Sequence, residues 1–295
     1  MPMRSRRAFT LAEMLISMVI VTIIGGALTR VLTSQTRFYE RESALRTARS
    51  IARGATNVLL ADLRMVQDSG SVDSVTANGR TIRILVPYRF GLVCATNGSR
   101  TTVSMLPTDS STVALSVYQG FGWRDSTSGR YTYVTRNNPN TPAGLPTASG
   151  SSADCTGNGT GQAQIRTVTT NGRSGEILDI QTNGASGARM GSPVFFYQRV
   201  TYSFRASDVW PNRLALWRNV QGGVNEEIMA PFDTSTRFRF YQAGDDDSRL
   251  TPPPVSDIRG LELVLTGLNP RATATDTITR ARISTSVFFK NVRGF

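Results

Sequence analysis

The sequence predicts an α+β protein in which one long N-terminal helix packs on an antiparallel β-sheet domain. Three observations predict it. A near-continuous apolar run fills residues 9–28. No proline occurs between Pro2 and Pro87, so a helix begun in that run can continue well past it. Beyond Gly70 the apolar residues recur at every second position instead of every third or fourth.

The helix divides into two halves. From Phe9 to Leu28 the only charged residue is Glu13. Helical residues rise about 1.5 Å each, so this run spans about 30 Å, the thickness of a bilayer core. Arg4, Arg6 and Arg7 precede it, which orients the N-terminus to the cytoplasm and exports the remainder. Residues 9–32 are therefore read as the membrane half. Residues 33–68 carry an apolar stripe at Leu45, Ala48, Ala52, Ala55, Leu59, Leu63 and Val66, with Arg46, Arg49, Arg53, Asn57 and Arg64 off it. Spacings of three and four put that stripe on one face of an amphipathic half-helix. The helix is expected to end near Gln67–Gly70, about 85 Å from its start.

Residues 69–295 are read as one exported β-rich domain. Candidate strands are 81–88, 112–118, 164–169, 177–181, 194–206, 213–219, 236–242, 258–266 and 281–291. Thr201-Tyr202-Ser203-Phe204-Arg205 and Arg237-Phe238-Arg239-Phe240-Tyr241 alternate cleanly. Such alternation buries one face and wets the other, which suits an antiparallel sheet covered by the helix stripe. Residues 119–191 are rich in Gly, Ser, Thr, Asn and Pro and are read as a loop region.

A charge inside a membrane segment costs roughly 2.5–3.5 kcal/mol on insertion scales and marks a functional site. Glu13 sits in Ala8-Phe9-Thr10-Leu11-Ala12-Glu13. This stretch resembles the prepilin processing site: a basic leader, a small residue, Phe-Thr-Leu-x-Glu, then an apolar helix. The chain thus resembles the type IV minor pilins and type II secretion pseudopilins. The family usually has Gly where this chain has Ala8. The resemblance implies a pilin-like fold and a cleaved leader at residues 1–8. It implies cutting between Ala8 and Phe9 by prepilin peptidase, N-methylation of Phe9 and retention of the helix. It also implies that the Glu13 carboxylate pairs with the terminal amine of a neighbouring subunit. The order of strands in the C-terminal half is similar to that of PilW-type minor pilins. The implied partners are other pilin or pseudopilin subunits, an inner-membrane assembly platform and the lipid bilayer. The implied location is first the inner membrane and then a filament, with a tip or priming role favoured by the size of the chain. Ser5-Arg6-Arg7-Ala8-Phe9 also fits a twin-arginine export signal, but no small-x-small cleavage site follows the run.

Composition narrows the alternatives. The chain has 33 Lys+Arg against 21 Asp+Glu, no His and a formal charge of +12. Loss of Arg4, Arg6 and Arg7 with the leader lowers that by three. Lys290 is the only lysine. The excess of scattered arginines keeps DNA or surface binding by the exported domain open as the rival function. The absence of His excludes Ser-His-Asp and Cys-His catalysis and most zinc sites, so the chain reads as a structural subunit and no enzyme, with no cofactor. Asp245-Asp246-Asp247 lies between two strands and lacks spaced calcium ligands; it reads as a solvated turn. Gly120-Phe121-Gly122-Trp123 reads as core or, alternatively, as an exposed contact beside Arg124 and Arg130. Cys94 and Cys155 both sit in turn-rich stretches and are read as a disulfide, permitted by export, with two free thiols as the alternative.

Overall fold

The computed structural model describes residues 10–67, 71–97, 100–106, 119–125, 131–135, 147–148, 169–170, 173–174, 177–181, 188–270 and 278–289. Helix α1 runs Leu11–Leu63, 53 residues without a break. Among the described residues fifteen strands follow. They are β1 (Val72–Val75), β2 (Thr81–Asn97), β3 (Arg100–Ser104), β4 (Gly120–Arg124), β5 (Tyr131–Thr135), β6 (Thr147–Ala148), β7 (Thr169–Thr170) and β8 (Arg173–Ser174). Then come β9 (Ile177–Gln181), β10 (Pro193–Ala206), β11 (Leu214–Val220), β12 (Asn225–Phe232), β13 (Arg237–Gln242), β14 (Ile258–Leu268) and β15 (Arg280–Phe288). All the pairings among the described residues are antiparallel. One long helix on an antiparallel sheet is the expected α+β layout.

The main sheet runs β13-β14-β12-β11-β10-β2-β3-β9-β6, with β15 on the other edge of β14. β12 meets β14 at the single pair Phe232↔Gly267. β13, β14 and β15 thus form a wing attached at one corner. Its inner face and the β2–β10–β11 face share one core. Ala52, Ala55, Leu59 and Leu63 of α1 enter that core with Ile82, Ile84, Tyr202, Phe204, Phe238, Phe240, Leu261, Leu263 and Leu265.

The helix seats on this core through small residues. Ala44, Ala48, Ala52 and Ala55 are buried, whereas Leu45 is only half-buried. Alanine lets the helix backbone come close, and at Gly267 the sheet backbone reciprocates. A Cβ on Gly267 would overlap the Ala48 carbonyl oxygen and stand 3.2 Å from Ala52 N. Farther along, Asp62 is pinned by Tyr202, whose hydroxyl donates to its carboxylate at 2.6 Å. Arg218 Nη2 lies 3.4 Å from the same carboxylate, and Arg218 Nε donates to the Tyr202 oxygen at 3.2 Å.

The strands differ from the sequence expectation in informative places. β2 extends nine residues beyond Tyr88, through Pro87 and Gly91. It does so because a register shift at Phe196/Tyr197 of β10 absorbs the irregularity near Pro87. β12 was not expected, since Glu226, Glu227 and Pro231 disguise it. Gly120–Arg124 and Tyr131–Thr135, read as loop, form the β4–β5 hairpin on the edge of β10. Glycines 120 and 122 are not turn signals there. A Cβ on Gly122 would overlap the Tyr197 hydroxyl, so the strand needs glycine to pass beneath that ring. Phe121 and Trp123 are fully buried and stack at 5.6 Å in a second core with Val93, Val103, Met105, Val194 and Phe196. That burial removes the exposed-contact reading of Trp123. The expected strand 112–118 lies outside the described residues, as does most of 164–169.

Candidate functional site

Half of α1 has no packing partner among the described residues. Leu11, Met14, Leu15, Ile16, Met18, Val19, Ile20, Val21, Ile23, Ile24, Leu28, Val31 and Leu32 are all exposed. Mean hydropathy over the best 18-residue window is 2.2, and none of that window is buried. This is one helix long and apolar enough to cross a membrane.

Its polar atoms are prepared for an apolar solvent. Ser17 Oγ donates to the Glu13 carbonyl at 2.7 Å and Thr22 Oγ1 to the Met18 carbonyl at 2.7 Å. Thr29 Oγ1 donates to the Gly25 carbonyl at 2.8 Å, and Thr33 and Thr36 repeat the pattern. Each hydroxyl is satisfied inside its own helix, as lipid requires of any polar group. The signal was present in the sequence as Ser and Thr in the apolar run, but its meaning appears only with i−4 geometry.

Glu13 stands in the first turn. Its Oε2 accepts from Thr10 N at 3.0 Å and from Thr10 Oγ1 at 3.1 Å, while Glu13 N donates back to Thr10 Oγ1 at 3.3 Å. This is a complete capping box, with Thr10 as N-cap. The helix macrodipole also favours a carboxylate at this end. Glu13 therefore has a role inside one chain that the sequence reading did not give it. Both bonds fall on Oε2; among the described residues nothing donates to Oε1. One oxygen closes the cap, and the other has no donor among the described residues.

Of the remaining site residues, Ala8 and Phe9 lie outside the described residues. Cys94 is fully buried and disulfide-bonded; Cys155 lies outside the described residues. Asp245–Asp247 form a turn in which Asp245 pairs with Arg249 and Gly244 takes φ 82°. Among the described residues no three His, Cys, Asp or Glu side chains converge on a metal-sized site.

Residues 3–29 match the family model of the prokaryotic N-terminal methylation motif. Comparison with curated proteins and with solved structures gave no match. The motif indicates a pilin or pseudopilin type of subunit, processed by prepilin peptidase and assembled with other pilin subunits. An apolar helix near the N-terminus together with that motif fits anchoring in the inner membrane.

Proposed function

We propose that the chain is a minor pilin or pseudopilin that enters a type IV pilus or type II secretion filament through α1, in a PilW-like tip or priming complex. One observation carries the reading. The membrane half of α1 is an exposed apolar rod, and its only carboxylate keeps an oxygen available beside the expected new N-terminus. After cutting between Ala8 and Phe9, the methylated Phe9 amine of a neighbouring subunit would donate to Glu13 Oε1. A charge in a membrane interior is tolerable when paired and costly when its partner is missing, so the pair sets register. The N-terminus is cytoplasmic before assembly and residues 69–295 are exported, where Cys94 pairs with Cys155, the only other cysteine.

The test separates the cap from the contact. Glu13→Val removes both, whereas Thr10→Ala removes the cap and keeps the carboxylate. Both variants should insert and be cleaved. Glu13→Val should be nearly absent from sheared filaments and Thr10→Ala should be retained. Equal loss of the two variants, or normal incorporation of Glu13→Val, sinks the reading.

A second reading is favoured by one surface. The outward face of the β13–β14–β15 wing gathers four arginines, which supports a tip subunit whose exported domain binds DNA.

A further inference from the structure

The period-two alternation of the wing sends Phe238, Phe240, Leu261, Leu263, Leu265 and Val287 into the core. It sends Arg237 and Arg239 of β13 and Arg280 and Arg282 of β15 to the opposite face. Cross-strand register sets them in rows. Arg239 faces Glu262 and Ser286, Arg237 faces Val264 and Ser284, and Arg282 faces Thr266. Between them lies a cavity of about 210 Å³ lined by Ser235, Arg237, Arg239, Leu250, Val264 and Arg282.

Among the described residues, the carboxylates around this cavity are already engaged. Glu262 accepts from Ser248 Oγ and Ser284 Oγ and lies 3.4 Å from Arg239 Nε. Burial pushes its carboxyl up, but these hydroxyls with Arg239 and Arg282 outweigh burial and hold it below the usual range. Asp233 is paired to Arg280 at 3.0 Å, and Asp245 to Arg249. Asp246 and Asp247 lie in the turn beyond Tyr241. Arg237 donates from Nε to the Ser235 carbonyl at 3.0 Å, which fixes the side chain without using its charge. Among the described residues neither Arg237 nor Arg282 forms an ion pair. Among the described residues, three guanidiniums thus surround one carboxylate, and the surplus is positive.

Orientation narrows the ligand. α1 lies against the inner face of β14, with Ala48 over Gly267. The arginine face is the opposite one, so its normal is perpendicular to the helix axis. A chain held upright by its membrane half turns this face sideways, along the bilayer plane. That geometry suits an elongated polyanion passing beside the filament better than a headgroup layer beneath it. The planar guanidinium fork matches phosphate bidentately.

We propose that this face is a phosphodiester-binding surface, with Arg237, Arg239 and Arg282 as phosphate contacts for DNA. It rests on the second reading above. The test uses the full chain in nonionic detergent and a fluorescent DNA duplex of about 20 base pairs. Binding should weaken with salt on a log–log slope of about −2 to −3, near −0.9 per neutralised phosphate. Arg237→Gln with Arg282→Gln should weaken binding at least about tenfold at low salt and flatten the slope by about 1.8. Arg49→Gln with Arg53→Gln, on the exposed side of α1, removes the same charge and should leave binding within about twofold. A wild-type chain that does not bind DNA overturns the DNA reading itself. Binding that the two double variants weaken equally overturns this site and leaves only net charge. Binding to phosphatidylglycerol vesicles that is lost with Arg237 and Arg282, without DNA binding, overturns the choice of ligand.

Discussion

The seat of α1 on the sheet can be tested with two glycines of opposite expectation. Gly267 of β14 touches the helix main chain. An added Cβ would overlap the Ala48 carbonyl oxygen, with Ala48 C and Ala52 N both 3.2 Å away. A backbone carbonyl cannot rotate aside, so Gly267→Ala must lift α1 off the sheet. Overpacking of that kind costs about 1–3 kcal/mol. At roughly 2–4 °C per kcal/mol for a domain of this size, the melting midpoint should fall by about 2–12 °C. Trimming the partner to Ala48→Gly should not rescue it, because the obstruction is main chain. Gly54 of α1 also has a close neighbour, at 2.7 Å, but this is the terminal methyl of Met229. That methyl swings away cheaply, and alanine favours the helix by about 0.8–1 kcal/mol. Gly54→Ala should therefore hold or raise the midpoint. Thermal melts of the three variants in detergent, followed by far-UV and near-UV circular dichroism, read both effects. A Gly267→Ala midpoint equal to wild type, or rescue by Ala48→Gly, would refute the close helix–sheet approach.

Further expectations concern the two cores and the buried phenols. Trp123→Ala should cost about 3–5 kcal/mol by cavity formation, measured by urea unfolding; a cost below about 1 kcal/mol would contradict its place in the second core. Burial pushes the Tyr88 phenol from 10.0 up to about 12, against the pull of Arg89. Burial, aided by the Asp62 carboxylate, pushes Tyr202 up as well. A phenol whose folded value exceeds its unfolded value stabilises the fold below the unfolded value, and that contribution is lost as pH rises toward the folded one. Stability should therefore decline from about pH 10 to 12. The variant Tyr88→Phe with Tyr202→Phe should show a flatter decline, and an unchanged slope in stability-versus-pH data would refute the assignment.

The helix was the most legible element. Alanines at 48, 52 and 55 and leucines at 59 and 63 announced both its length and its buried face, because a helix periodicity needs no distant partner to be recognised. The clean alternators β10 and β13 were legible for the same local reason. What could not be read depended on contacts far apart in sequence. Gly122 looks like a turn residue until Tyr197, 75 positions on, is placed over it. Pro87 looks like the end of a strand until the register shift in β10 accommodates it. At the N-terminus the motif around Glu13 was readable residue by residue. The bond from Thr10 was not anticipated, although Thr at the N-cap with Glu three positions later carries that signal. The arginine face is not legible in the sequence: its members look scattered along the chain, since two strands separated by about 40 residues only meet across β14.

The central claim is that this chain is a processed filament subunit that keeps its apolar helix. Intact mass and N-terminal sequencing of the mature protein test it most directly. The account predicts a chain beginning at N-methylated Phe9 with residues 9–32 retained. A mature chain that still begins at Met1, or one cut beyond Gly26 with the helix lost, would contradict it.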